Sequence, residues 1–571
     1  MAPKRPPLLP LVLLLAGFTV PLLLLCAVPP IARDVLIHHL AIPKLWIEHG
    51  GIFSIPWAPH SYFPMNIELL FAACLMLGND IAPAFVHLAF GFGTGFLIFR
   101  YLSPRTGHAT ALLGLFFFMT IPVVMRVGTM AYVDLGATFF TTAALLSLVP
   151  YRDSGCRDNV WLVVSAVCMG LAVGSKYTAL VPWAYLNIVV ILYVSRANRP
   201  ARVAVRAGLV YGVVVLLVAS PWLVKNTLAT LNPVYPLFDG FFAQFRDVSA
   251  GGGSPGQGGG PGLGARSSFF QRRELLYGEP LWVTLLMPVR MFLFGRDNSA
   301  QFFDGVLCPA LVLLAPLAFL AGNRRRDLWM FTGFVLFSLL VPVFADAARI
   351  RYIMPVLPFL AIMSAMGIRN VLNAATQATQ PVAVVLYILG GVSLAYMIGF
   401  SGWYLHGYFS KVDPVPYVTG EESRDSFLER HLASYSCMRY INTHSAKDAR
   451  VLLMFVRGRT YYLERDFRYD PSYGMAATRS LMRALKETGS VAGYLEDQGF
   501  THVLARLDLL DGYLGANFSE DERDRLAKAL ATELEPVFME NAYMVYEVPG
   551  HDEGNAARQA REGGNRNGEP R

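Results

Sequence analysis

The chain has 571 residues, 54% of them hydrophobic and 16% charged, with a mean hydropathy of +0.42, far above that of a water-soluble globular chain of this size. That balance excludes water as the main solvent of the fold. The net charge of +7 does not point to nucleic acid, because the basic residues cluster in short loops between apolar runs, where membrane topology accounts for them, and the six cysteines, with no CxxC spacing, indicate neither a disulfide framework nor a zinc site.

A helix needs roughly 20 apolar residues to cross the hydrocarbon core. Runs of that order predict about eleven spans, near residues 8–29, 81–99, 109–125, 133–150, 160–175, 177–195, 207–225, 305–322, 328–344, 351–368 and 381–402. The first run is too long for a signal peptide and lacks a small-x-small cleavage site before Pro29, so it is expected to stay as a span. The spans on either side of Gly174, Ser175 and Lys176 are read as two, since one helix of that length would far exceed the roughly 30 Å core.

Two long connections interrupt the series. Residues 30–80 hold two stretches of helical character, ARDVLIHHLAIPKLWIEHGG and PMNIELLFAACLMLGND, expected to lie at the interface rather than cross it. Residues 226–304 carry NPVYP and then the glycine-rich run SAGGGSPGQGGGPGLGARSS, expected to be a mobile linker or a lid. The membrane domain is thus expected over 1–405, a small α/β soluble domain over 406–550, and a disordered tail over 551–571. The predicted fold class is an all-α polytopic membrane domain with a small C-terminal α/β domain.

With Lys4 and Arg5 cytoplasmic, the inner loops hold Arg100, Arg105, Arg152, Arg157, Arg196, Arg199, Arg202, Arg206, Arg324, Arg325, Arg326 and Arg369, which satisfies the positive-inside rule. The outer face then carries few basic residues: Arg33, Lys44, Arg126, Lys176, Arg349 and Arg351, candidates for holding an anion. It also collects Asp34, His38, His39, Glu48, His49, Glu68, Asp80, Asp134 and Asp346, either a site or ordinary interfacial charge.

Each candidate has a functional and a structural reading. Asp34, directly after the first span, can take a proton from an attacking hydroxyl or cap the following helix. His38 and His39 follow four and five residues on, as substrate contacts, a metal pair or interfacial histidines without a ligand. Asp134 opens a span. Lys176, at the tip of a tight hairpin, can meet a phosphate or snorkel. Arg349 and Arg351 can fork onto phosphate oxygens or anchor the interface beside Tyr352.

These features together resemble the GT-C class of integral-membrane glycosyltransferases, especially the family 39 protein mannosyltransferase-like and aminoarabinose-transferase-like bacterial enzymes. The resemblance rests on RDVLIHHLAIPKLWIEHGG after the first span, YVDLGATFF, GLAVGSKYTAL, NPVYP and RIRYIMPVLPFL, in that order over roughly residues 8–405. It implies a GT-C-like domain in a bacterial cytoplasmic (inner) membrane with its C-terminal domain outside, a sugar donor on a polyprenyl phosphate, and a lipid, glycan or protein acceptor. It further implies an inverting transfer with Asp34 as base and Lys176, Arg349 and Arg351 around the leaving phosphate; His38, His39, Glu48 and Asp134 are the further candidates for binding substrate. Many members have two adjacent acids where Asp34 is followed by Val35, which leaves Asp134 or Glu48 as the second carboxylate. Some members use a divalent metal; this sequence shows no clear metal set, and none is expected.

Two other readings stand beside the enzyme. A lipid-linked-sugar or polysaccharide transporter would carry charges near mid-bilayer and show broken helices or inverted repeats, whereas the charges here lie at helix ends and no repeat is visible. A noncatalytic scaffold in envelope-glycan assembly would act through the α/β domain.

Overall fold

Every one of the eleven predicted spans falls on a helix or a bent pair of helices in the computed structural model, which describes residues 8–197, 199–245, 269–321, 325–341, 348–456, 458–470, 472 and 474–549. Arg324, Asp346, the glycine-rich run and the tail expected beyond residue 550 lie outside the described residues. Among those described, six helices are long and apolar enough to cross a bilayer singly: Leu9–Cys26, Ala82–Thr106, Tyr177–Arg196, Ala201–Thr230, Ile350–Gln377 and Gln380–Val412. The pair His108–Met119 and Pro122–Gly128, bent by 66°, is apolar enough to make a seventh if the two helices form one broken span and not a re-entrant loop. The bend has a local cause. Pro122 forces extended backbone on Ile121 (φ −63°, ψ 127°) and then opens the next helix, where its missing N–H costs nothing. The other predicted spans fall on Asp134–Asp153, Asn159–Val173, Ala310–Leu320 and Arg325–Ser338, which are shorter or more polar.

The chain divides into two compact units. The first comprises residues 8–30, 62–245 and 269–421. At its centre is Ile350–Gln377, buried along almost all of its apolar stretch, while helices such as Ala201–Thr230 and Gln380–Val412 expose rows of large apolar side chains, Leu217 at 65% and Val392 at 61% among them. In water each such Leu or Val would forgo about 1.5–3 kcal/mol of burial. Exposed apolar surface on this scale is a lipid face, and the protein is a multi-pass membrane protein. Helices approach closely where a side chain is missing: a Cβ on Gly170 would lie 2.6 Å from the Val218 Cβ and 2.9 Å from the Val215 carbonyl. A buried network ties three helices together. Arg152 pairs with Asp327 at 2.5 Å, and the Tyr101 hydroxyl donates to the other Asp327 oxygen at 2.8 Å.

The second unit joins residues 31–61 to residues 422–549. Its five-stranded sheet has the order β2-β1-β3-β5-β4, with β1 Arg450–Met454, β2 Asp466–Tyr469, β3 His502–Arg506, β4 Glu535–Glu540 and β5 Tyr543–Glu547. The β2-β1-β3 part is parallel, with helices Met475–Glu487 and Val491–Asp497 between β2 and β3. β5 and β4 add antiparallel. β1 is apolar on both faces because both are covered: Leu452 and Met454 enter one core and Val451 and Leu453 the other. Asn541 and Ala542, at φ 50° and 62°, make the two-residue turn between β4 and β5, which needs positive φ at both positions.

Residues 31–61 were expected to accompany the membrane helices, and they fold with this domain. The Lys44 ammonium donates to the Tyr461 and Leu463 carbonyls at 2.9 and 3.0 Å, and the Trp57 ring meets Phe467 edge to face at 5.3 Å. The second helical stretch, Asn66–Met76, belongs to the membrane unit.

Candidate active site

In the membrane unit the candidate residues assemble around the start of helix Asp134–Asp153. Asp134 opens that helix with its side chain almost fully buried, and Lys176 reaches it, Nζ to Oδ1, at 2.5 Å. The Lys176 ammonium also lies over the Tyr352 ring, 5.0 Å from its centre. The Arg351 guanidinium stacks over Tyr132 and Tyr352 at 5.0 and 5.6 Å and acts on the same carboxylate electrostatically. Two cations thus gather at one buried carboxylate. Asp134 Oδ2 accepts no hydrogen bond among the described residues. Arg349 sits in extended backbone just before the turn that carries Arg351.

Asparagines inside the apolar helices hold this arrangement. The hairpin at Lys176 is real: one helix ends at Val173 and the next turn begins at Tyr177. The Asn66 N–H donates to the Gly174 carbonyl at 2.9 Å, and its amide donates to Leu171 O while accepting from the Trp222 indole N–H at 2.8 Å. Asn226 donates to Tyr62 O at 2.7 Å and to the Tyr177 hydroxyl at 2.9 Å. Buried His87 supports Asp134 from behind. Its Nε2 accepts from the Leu135 N–H at 2.9 Å, so Nδ1 carries the proton and donates to Val127 O at 3.1 Å. The ring thereby satisfies one orphan donor of the helix that Asp134 opens. None of these three was among the sequence candidates. Their signal was present nonetheless, since a polar side chain within an apolar helix needs a partner or a role.

Arg126, an expected anion ligand, has a structural task. It pairs with Asp297 at 2.6 Å and with Asp304 at 3.3 Å, and Tyr404 donates to the second Asp297 oxygen at 2.6 Å.

The remaining candidates, Asp34, His38, His39 and Glu48, belong to the second unit. Asp34 precedes a five-residue π-helix, Val35–His39, closed by the Leu40 N–H donating to Val35 O at 3.0 Å, and its carboxylate makes no capping hydrogen bond. The extra residue in that turn brings both His38 and His39 round toward the side of Asp34; in an α-helix only His38 would share it. The two imidazoles are buried, 4.0 Å apart between ring centres, and His60 stacks on His38 at 4.4 Å and 9°. Glu48 is half exposed beside Lys44, at 3.8 Å. Lys44, another expected anion ligand, has its ammonium engaged by two carbonyls and this carboxylate. Among the described residues no three His, Cys, Asp or Glu side chains are placed to hold a metal ion, and no step below involves one.

Residues 64–224, which include Asp134 and Lys176, match the family model described as dolichyl-phosphate-mannose-protein mannosyltransferase. No curated protein matches the chain in sequence. Among solved structures the chain is similar to ArnT from Cupriavidus metallidurans in its apo state, with TM-score 0.52, 13% identity, and 94% of this chain and 97% of that one covered. The likeness to the same protein bound to undecaprenyl phosphate has TM-score 0.55, 13% identity, and coverage of 95% and 98%. The oligosaccharyltransferase of Archaeoglobus fulgidus tethered to an acceptor peptide follows with TM-score 0.50, 11% identity, and coverage of 95% and 74%. The fold is thus that of the GT-C glycosyltransferases: a polytopic helical unit with a smaller α/β unit, as the sequence predicts.

Proposed function

We propose that this protein is a membrane glycosyltransferase that moves a sugar from a polyprenyl-phosphate-linked donor to an acceptor on the outer face of a bacterial cytoplasmic membrane, with inversion. The observation that carries the reading is the likeness of fold, over nearly the whole of both chains, to a protein whose structure holds undecaprenyl phosphate. The family match over residues 64–224 and the gathering of Lys176 and Arg351 at Asp134 support it.

In this reading the donor phosphate lies against Lys176, Arg349 and Arg351. Asp34 accepts the proton of the acceptor hydroxyl as its oxygen attacks the anomeric carbon from the face opposite the phosphate. The carbon–oxygen bond to the phosphate breaks, the electron pair stays on that phosphate oxygen, and the polyprenyl phosphate leaves with its developing charge held by the cations. His38, His39 and Glu48 offer hydrogen-bonding groups to the sugar or acceptor, and Asp134 holds Lys176 in place.

The test is transfer of radiolabelled sugar from a defined polyprenyl-phosphate donor by the purified protein. Asp34→Asn keeps the size and polarity of the side chain and removes the proton acceptor. Transfer should fall by about 100-fold or more, in line with the typical contribution of a general base, while the amount of folded protein in the membrane stays unchanged. Full activity in that variant would remove Asp34 from the mechanism.

A further inference from the structure

Within the second unit, residues 31–61 and the loop leading into β2 enclose a cavity of about 320 Å3, to which Lys44, Glu48, Trp57, Glu464, Asp466 and Phe467 contribute. That volume sits at the small end of ligand pockets, which run from about 300 to 1,000 Å3, and suits a single ring-sized group.

The hydrogen-bonding character of the walls is one-sided. Both cations at the cavity are already engaged by the protein. Lys44 donates to two backbone carbonyls and faces Glu48, and burial lowers its affinity for the proton against the pull of Glu48 and Glu464. Arg465 directs its guanidinium to the carbonyls of Asn442, Ser445 and Glu464 and to the Ser445 hydroxyl. The carboxylates are on the open side: Glu48 is 47% exposed, Glu464 is exposed, and Asp466 is 72% exposed while pairing with Arg450 at 3.3 Å. The cavity therefore sets the carboxylates of Glu48, Glu464 and Asp466 against two cations already engaged by the protein, and an anion entering it would meet like charge. Its apolar walls include aromatic rings, with Trp57 and Phe467 meeting at 71°.

We infer that this cavity is a carbohydrate-binding site for one neutral or amino-sugar ring, with the ring's C–H face against Trp57 and Phe467 and its hydroxyl or ammonium donors on Glu48, Glu464 and Asp466. The chemistry is complementary on each side. Sugar C–H groups carry slight positive charge and meet the negative face of an aromatic ring, an ammonium gains more from the same face, and hydroxyls are donors for ionised carboxylates. The cavity lies wholly within the second unit, and ring binding there can be read without measuring sugar transfer.

Saturation-transfer NMR on the full chain, in a detergent without a sugar headgroup, tests it with cellobiose, the glucosamine dimer and digalacturonate as probes. Saturable binding of cellobiose and the glucosamine dimer is expected, with digalacturonate giving none. Trp57→Ala should weaken both by at least tenfold, Trp57→Phe should retain most of the binding, and the exposed Asp466→Asn should weaken the cationic dimer more than cellobiose. Absence of binding by both favoured probes, binding untouched by Trp57→Ala, or digalacturonate binding as tightly as cellobiose overturns the inference.

Discussion

A buried carboxylate held by a lysine can serve stability alone or hold that lysine for a ligand, and Asp134 with Lys176 allows the two to be separated. Lys176→Met strands Asp134 in a nearly dry site, at a cost of about 3–5 kcal/mol for breaking such a pair, which thermal melting in detergent should register. Asp134→Asn combined with Lys176→Met removes both charges and should recover most of that stability. If Lys176 serves the phosphate, sugar transfer stays low in the double variant despite the recovered fold, whereas a purely structural pair would recover both. Asp34 and Lys176 were legible because charged residues in one-letter sequence stand out against apolar runs. His87 was not, since what it does depends on the N–H of Leu135, and sequence patterning gives no sign that those two positions meet. The π-turn was equally hidden: residue pattern sets a helical face, and one extra residue in the turn brings His39 as well as His38 to the side of Asp34.

At the scale of elements, sequence patterning was most informative where a single physical requirement dominates. About 20 apolar residues in a row mark a crossing, and the described part of each of the eleven runs falls on helix, with six helices, or seven counting the bent pair, long and apolar enough to cross; the bend at Ile121–Pro122 follows from proline sterics. It was least informative across residues 226–304, read as one long loop, whose described part contains short helices including Phe269–Tyr277 and Met287–Leu293. Those two are joined by Glu279, which accepts from Arg273 at 2.7 Å and Arg290 at 2.9 Å. Burial pushes the Glu279 carboxyl up, but the two arginines outweigh it and hold it below its ordinary value of 4.5. The folded state therefore releases this proton more readily than the unfolded one, so the stabilisation is complete above about pH 4.5 and is lost as pH falls through the lowered value. Melting followed from pH 6 to about pH 3 should show a loss in the native chain that is reduced in Glu279→Gln.

For the whole molecule, the main departure from the sequence reading is the placement of residues 31–61 with the C-terminal α/β domain. A small α/β domain was readable in the sequence after residue 405, but the partnership was not, because the Lys44 bonds join positions 417 and 419 residues apart. This changes what a truncation can reveal. Removing residues 422–571 takes away the partner of the segment that carries Asp34, so an enzyme should lose transfer as completely as a scaffold loses its function. In the truncated chain residues 31–61 should also become accessible to protease, a change that mass spectrometry of the fragments would detect. The same long-range partnership bears on biosynthesis. At roughly 5–20 residues per second, about 20–80 s pass between synthesis of Lys44 and of the carbonyls that receive it. For that interval the nascent segment has no docking partner, so the ribosome-bound chain carries Asp34 on an unfinished surface, and premature termination anywhere before Tyr461 leaves it there.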